Sequence, residues 1–151
     1  MIKTIKNEPI KILLADDDED DIAIALRAFK KSKLENEVFV VRDGEETLDY
    51  LLSRGQYQDE SQHPKPHLLL LDINMPKMNG LEVLKQLEDH PTLKRLRVMM
   101  LTSSKNEEDV VRSYNNGACA YIPKPVEFDD FLNVVEGLNC FWRTVIYTNG
   151  Y

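Results

Sequence analysis

The sequence predicts an α/β fold, a doubly wound (βα)5 sandwich whose five-stranded parallel sheet carries helices on both faces. Two observations predict it. Apolar runs without polar alternation recur along the chain, and strands of that kind are covered on both sides. Segments with apolar residues at helical period separate them, and strands alternating with helices build a parallel sheet. A third observation bears on use. The runs end in carboxylates, hydroxyls or a lysine, and right-handed crossovers bring those ends to one edge of the sheet, where ligands of open α/β sheets bind.

"IKILLA" (residues 10–15) is the first strand, and Ile22, Ala25, Leu26 and Phe29 mark the inner face of the helix that follows. "EVFVVRDG" is the second strand, closed by an Asp-Gly turn. "EETLDYLLSRG" is helical, with Leu48, Leu51 and Leu52 on one side and Gly55 as its stop. "QYQDESQHPKP" is polar and proline-bearing, the long surface loop. "HLLLLD" is the third and most buried strand. After "INMPKMNG", "LEVLKQLEDH" is a helix built on Leu81, Leu84 and Leu87 and stopped by Pro91. "RVMMLTSS" is the fourth strand, "KNEEDVVRSYNNG" a polar helix closed by Gly117, and "ACAYIPKP" the fifth strand. The last helix starts near Phe128, with Phe131, Leu132, Val135, Leu138 and Trp142 on one broad face.

A chain of 151 residues suits one domain with one core. A net charge of -7 repels duplex DNA and acidic membrane surfaces, and no long basic run offsets it. No apolar run spans a bilayer, and "MIKTIKNEPI" is too short and polar for a secretory signal, so the expected location is cytoplasmic. Cys119 and Cys140 form no zinc spacing and read as reduced thiols. His63, His67 and His90 read as surface residues.

The stretch "ILLADDDEDD" runs four apolar residues into six acidic ones. Crowded carboxylates cap a helix, face solvent or hold a cation. At the shared edge, Asp16 and Asp17 end the first strand, Asp72 the third, Thr102 and Ser103 the fourth, and Lys124 and Pro125 the fifth. Three carboxylates in one crevice need compensation, and a divalent cation with oxygen ligands, usually magnesium, supplies it. Lys124 is a mobile point charge suited to a phosphoryl oxygen, and Thr102 offers a hydroxyl to a second oxygen. No glycine-rich nucleotide loop is present. The phosphoryl group then needs an acceptor on the protein. Asp72 is the candidate, because carboxylates form acyl-phosphates.

"ILLADDDEDD", "LLLLDINMPKMNG", "VMMLTSS" and "YIPKP" resemble the response-regulator receiver domain of two-component signalling, a flavodoxin-like fold. Asp72 stands 30 residues before Thr102 and 52 before Lys124, and both spacings match the family pattern. The resemblance implies roles. Asp72 is the phosphoacceptor, phosphorylated with help from Thr102 and Lys124. Mg2+ is held by Asp17, Asp72 and the Asn74 backbone carbonyl, with Asp16 helping through water. Thr102 and Tyr121 are switch residues, and the Lys124–Pro125 peptide is cis. Such a domain catalyses its own phosphotransfer and dephosphorylation but is not a metabolic enzyme. The chain ends soon after the last helix, so the likeness is to stand-alone regulators, including those that partner phytochrome-type histidine kinases. The donor is a sensor histidine kinase or a phosphotransfer protein. A homodimer would use the fourth helix, fifth strand, last helix and tail.

The expected layout is an N-terminal extension (1–9), a receiver domain (10–140) and an aromatic tail (141–151). Several residues carry two readings. Asp18 through Asp21 cap and charge the first turn of helix one. Met75 and Met78 contact a partner or pack their loop. Tyr121 is a strand aromatic or the switch. Phe141, Val145, Ile146 and Tyr147 form a docking or dimer surface, or extra self-packing. Two other functions compete. A magnesium-dependent phosphatase is disfavoured because no carboxylate stands two residues after Asp72. A phosphorylation-independent binding module has little reason to keep Asp16, Asp17, Asp72, Thr102 and Lys124 together.

Overall fold

The structure, a computed structural model, describes residues 9–107 and 120–149, with side chains as far as Leu138. The strands are β1 (Ile10–Ala15), β2 (Asn36–Val41), β3 (Leu68–Asp72), β4 (Arg97–Thr102) and β5 (Ala120–Pro123). The helices are α1 (Glu19–Lys31), α2 (Gly44–Leu51), α3 (Gly80–Asp89) and α4 (Phe128–Asn149), with 3-10 turns at Gly55–Tyr57 and Leu93–Arg95. Residues 105–107 begin the helix expected after β4. The rest of that helix, Gly117 and Cys119, most of the 1–9 extension and the side chains of the aromatic tail lie outside the described residues. Among the described residues no helix is long and apolar enough to cross a membrane.

All strand pairs are parallel, in the order β2-β1-β3-β4-β5. Alternation along each strand divides the core in two. Leu13, Leu69, Leu71, Val98 and Met100 pack under α2 and α3, while Ile12, Leu14, Leu68, Leu70 and Met99 pack under α1 and α4. Phe29 of α1 meets Phe131 of α4 edge-on at 5.3 Å, an arrangement aromatic pairs favour. β3 is buried at all five positions, as its leucine run requires.

Helix starts follow side-chain capping. Asp18 accepts from the N–H groups of Asp20 and Asp21, Asp43 from Glu46, and Asn79 from Glu82. Each such cap contributes about 1 kcal/mol. The end of α2 departs from the expected stop at Gly55. The helix closes at Leu51, and Ser53 takes the left-handed conformation (φ 53°). Gly55 is also left-handed (φ 63°) and turns the chain into the first 3-10 element.

The segment expected as a polar surface loop is held by its rings. Tyr57 is buried, 5.1 Å from Tyr50 and 4.9 Å from His63. The Tyr50 hydroxyl donates to the Pro64 carbonyl (2.9 Å) and the Tyr57 hydroxyl to Glu46 Oε2 (2.7 Å). The other histidines are structural too. His67 Nδ1 accepts from the Lys11 N–H, and His90 Nδ1 accepts from Thr92 and Leu93 at the end of α3. Met75 is buried in the core and Met78 packs against it, so packing accounts for both.

β1 and β3 are neighbours whose following crossovers leave in opposite directions, one to β2 and the other to β4. The crevice beyond their C-terminal ends is the place where doubly wound sheets hold ligands.

Candidate functional site

Four strands deliver the expected residues to that crevice. Asp16 follows β1, and its N–H donates to the Val41 carbonyl at 3.1 Å, extending the sheet by one residue. Asp72 is the last residue of β3, paired with Leu101. Thr102 ends β4, and its carbonyl accepts the Lys124 N–H at 2.8 Å. Asp16, Asp72 and Thr102 are buried, while Asp17 is exposed at the mouth. The Lys124–Pro125 peptide is cis. Tyr121 is half-buried on β5, packed against the core on the α2–α3 side.

The ammonium of Lys124 is the hub. It lies 2.8 Å from Asp72 Oδ2, 3.1 Å from Asp16 Oδ1 and 3.2 Å from Asp21 Oδ2. Asp72 Oδ1 accepts the Asn74 N–H at 3.2 Å, and Asp16 Oδ1 also accepts the Asp18 N–H at 3.0 Å. Asp16 Oδ2 is buried with no hydrogen-bond partner among the described residues. An orphaned carboxylate oxygen is expensive, since burial removes water without replacing it.

Charge is therefore in deficit. Burial pushes the Asp72 carboxyl up to about 7; its bond to Lys124 opposes the rise, and the neighbouring Asp16 charge adds to it. For Lys124, burial pulls the ammonium down, but the bonds and charges of Asp72 and Asp16 outweigh it and raise the group overall. One ammonium is shared among more carboxylates than it can neutralise. Carboxylate oxygens of Asp16, Asp17 and Asp72 lie within 4.8 Å of one another. A set of hard oxygen donors with one oxygen left over fits a hard divalent cation.

The loop after β3 is pressed onto the sheet. The Gly80 N–H donates to the Ile73 carbonyl at 2.8 Å, and a Cβ on Gly80 would overlap the Asp72 carbonyl and stand 2.9 Å from Ile73 Cα. The sequence marks Gly80 as a turn into α3; its role is the close approach of two backbones. Asn74 is tied sideways, its side-chain amide donating to Glu107 Oε2 at 3.0 Å. Glu107 Oε1 in turn accepts the Ser103 N–H at 2.6 Å, and Ser104 Oγ accepts the Glu107 N–H. This clasp joins the loop after β3 to the loop after β4. Half of its signal was local, a Ser-x-x-Glu box opening a helix; the pairing with Asn74 has no local signal.

The acidic run divides more finely than the sequence reading had it. Asp18 is the cap, but Asp21 is buried in the first turn of α1 and reaches both Lys124 and the Val126 N–H (3.0 Å). A signal for this was present. Asp21, Ala25, Ala28 and Phe29 fall on one helical stripe, and all four are buried.

Known proteins share this fold. The model of the response regulator receiver domain matches residues 12–136. Response regulator Rcp1 of Synechocystis is 37% identical over 140 residues, 93% of either chain. The Mn(2+)-bound form of Rcp1 superimposes with a TM-score of 0.74 at 36% identity, covering 89% of this chain and 94% of that one. The phosphorylated cyanobacterial phytochrome response regulator RcpA does so with a TM-score of 0.75 at 38% identity and the same coverage. Fold and sequence likeness agree over most of the length, and the chain belongs to the response regulator receiver family of two-component signalling.

Proposed function

We propose that the chain is a phosphorylation-operated switch in which Asp72 accepts a phosphoryl group from the phosphohistidine of a sensor kinase or phosphotransfer protein. The observation that carries this reading is the Asp72 carboxylate. It ends the most buried strand, bonds to Lys124 at 2.8 Å, and shares its crevice with a carboxylate oxygen that has no partner among the described residues. The site is short of positive charge and has an acceptor in place.

An Asp72 oxygen bonds to phosphorus as the phosphorus–nitrogen bond of the histidine breaks, and the imidazole nitrogen keeps the electron pair. Lys124 moves from the Asp72 oxygen to a phosphoryl oxygen, and Thr102 donates its hydroxyl to another. Tyr121 and the loop after β4 follow Thr102, shifting the population between two states of the surface that a partner protein reads. Water attack on phosphorus later breaks the bond to Asp72 and resets the switch. Asp17, Asp72 and the Asn74 carbonyl, with Asp16 through water, would hold magnesium, which would supply positive charge for the transferring group. Manganese in the similar Rcp1 supports a divalent cation here. The likeness to RcpA supports a phytochrome-type kinase as donor. β5 is an edge strand, which suits it to a homodimer that also uses the helix before it, α4 and the tail.

Intact mass after incubation with magnesium and acetyl phosphate tests the reading. The wild type gains one phosphoryl group, labile to base and hydroxylamine, and Asp72→Asn gains none. No gain in a wild type shown to bind the cation would leave a binding module that keeps the site unused.

A further inference from the structure

Asp21 has no part in the mechanism above, yet its side chain is 5% exposed. Capping does not explain that burial, because Asp18 already takes the free N–H groups of the α1 first turn. A buried carboxylate is costly unless bonded on both oxygens. Asp21 is bonded on one and paired on the other: Oδ1 accepts the Val126 N–H at 3.0 Å, and Oδ2 forms an ion pair with Lys124 Nζ at 3.2 Å.

The two contacts close a ring. It runs from the Lys124 backbone through Pro125 to the Val126 N–H, across the Asp21 carboxylate and back to the Lys124 ammonium. One rigid group thus fixes the end of the lysine relative to its own backbone. That matters because a lysine is a point charge on a flexible four-carbon stem. The ammonium has three hydrogens and, among the described residues, three carboxylate neighbours, Asp16, Asp21 and Asp72. Only Asp21 comes from a helix rather than from a strand end.

We propose that Asp21 is a positioning residue for phosphoryl transfer, acting through Lys124. The proposal rests on Asp72 being the acceptor. As a phosphoryl group arrives, Lys124 gives up the Asp72 oxygen, and Asp21, from the helix side and together with Asp16, keeps the ammonium at the transferring group.

Asp21→Asn separates the two contacts. The carbonyl still accepts from Val126, while an amide that cannot accept from Lys124 replaces the other oxygen. Phosphoryl gain from acetyl phosphate slows by about tenfold, the scale expected when a reacting group is misplaced, with little change in melting temperature. Asp21→Ser, neutral and too short for the lysine, slows it likewise. In a Lys124→Ala background, Asp21→Asn adds less than twofold. A wild-type rate in Asp21→Asn, or the full slowing retained without Lys124, overturns the proposal.

A second readout needs no phosphoryl donor. Reductive methylation of Lys124, followed by peptide mass, speeds up several-fold in Asp21→Asn as the ammonium loses an anchor. Unchanged labelling overturns the proposal. Absence of phosphoryl gain in the wild type would instead overturn the assignment of Asp72, and the labelling would still decide Asp21.

Discussion

The crevice beyond β1 and β3 and the loop between α2 and β3 both bury polar side chains, and they do so on opposite terms. In the loop, the hydroxyls of Tyr50 and Tyr57 are both bonded, and three rings pack within 6 Å of one another. In the crevice, Asp16 Oδ2 has no partner among the described residues, and Asp72 holds its proton far above the ordinary 3.8. The loop is built for stability alone. The crevice spends stability on crowded, buried carboxylates, as functional sites commonly do.

The sharpest way to break this contrast is Gly80→Ala. A Cβ there meets the backbone of Asp72 and Ile73, which has no side-chain freedom with which to give way. Overpacking against backbone should cost about 3 kcal/mol, read from denaturant unfolding, and should slow phosphoryl gain as β3 shifts. An unchanged unfolding midpoint would show that the approach is looser than described.

A smaller effect, of opposite sign, is expected at Asp72, the proposed acceptor. Asp72→Asn removes a charge that the crevice cannot neutralise, so the cation-free protein should gain about 1–2 kcal/mol. The pH dependence follows from the raised carboxyl. The stability it contributes is full below its ordinary value of 3.8 and is lost as the pH rises to about 7, because the folded state binds the extra proton over that range. Without cation, the wild-type melting temperature should therefore fall across that window more than that of Asp72→Asn. A divalent cation should raise it again, most at the upper end. Parallel melting curves of the two proteins would refute this account of the crevice.

The smallest effect is expected in the loop. Tyr57→Phe leaves the ring in place and deletes the bond to Glu46, costing about 1 kcal/mol with no change in phosphoryl gain. A change in that rate would join two regions that the structure keeps apart.

Much of this was legible in the chain because strand ends are legible. Asp16, Asp72, Thr102 and Lys124 each follow an apolar run, and a parallel sheet leaves such residues one edge to occupy. Tyr57 was not, because it sits in a polar, proline-bearing stretch whose composition reads as solvent loop, while its burial depends on Tyr50 and His63. Asp21 was hidden by its neighbours: five other acidic residues made it look like one more charge in a solvated turn, although its helical stripe is apolar. The Asn74–Glu107 bond joins residues 33 positions apart with nothing local to announce it.

The bond between Lys124 and Asp16 spans 108 residues. A chain made from its N-terminus has every carboxylate of the crevice long before the lysine that offsets them, and β5 is the last strand along the chain and an edge of the sheet. The charge balance of the crevice thus waits on the residues that complete the sheet. A half-made or partly unfolded chain holds its carboxylates without the ammonium, so with Asp72 as the proposed acceptor only finished molecules would carry a signal.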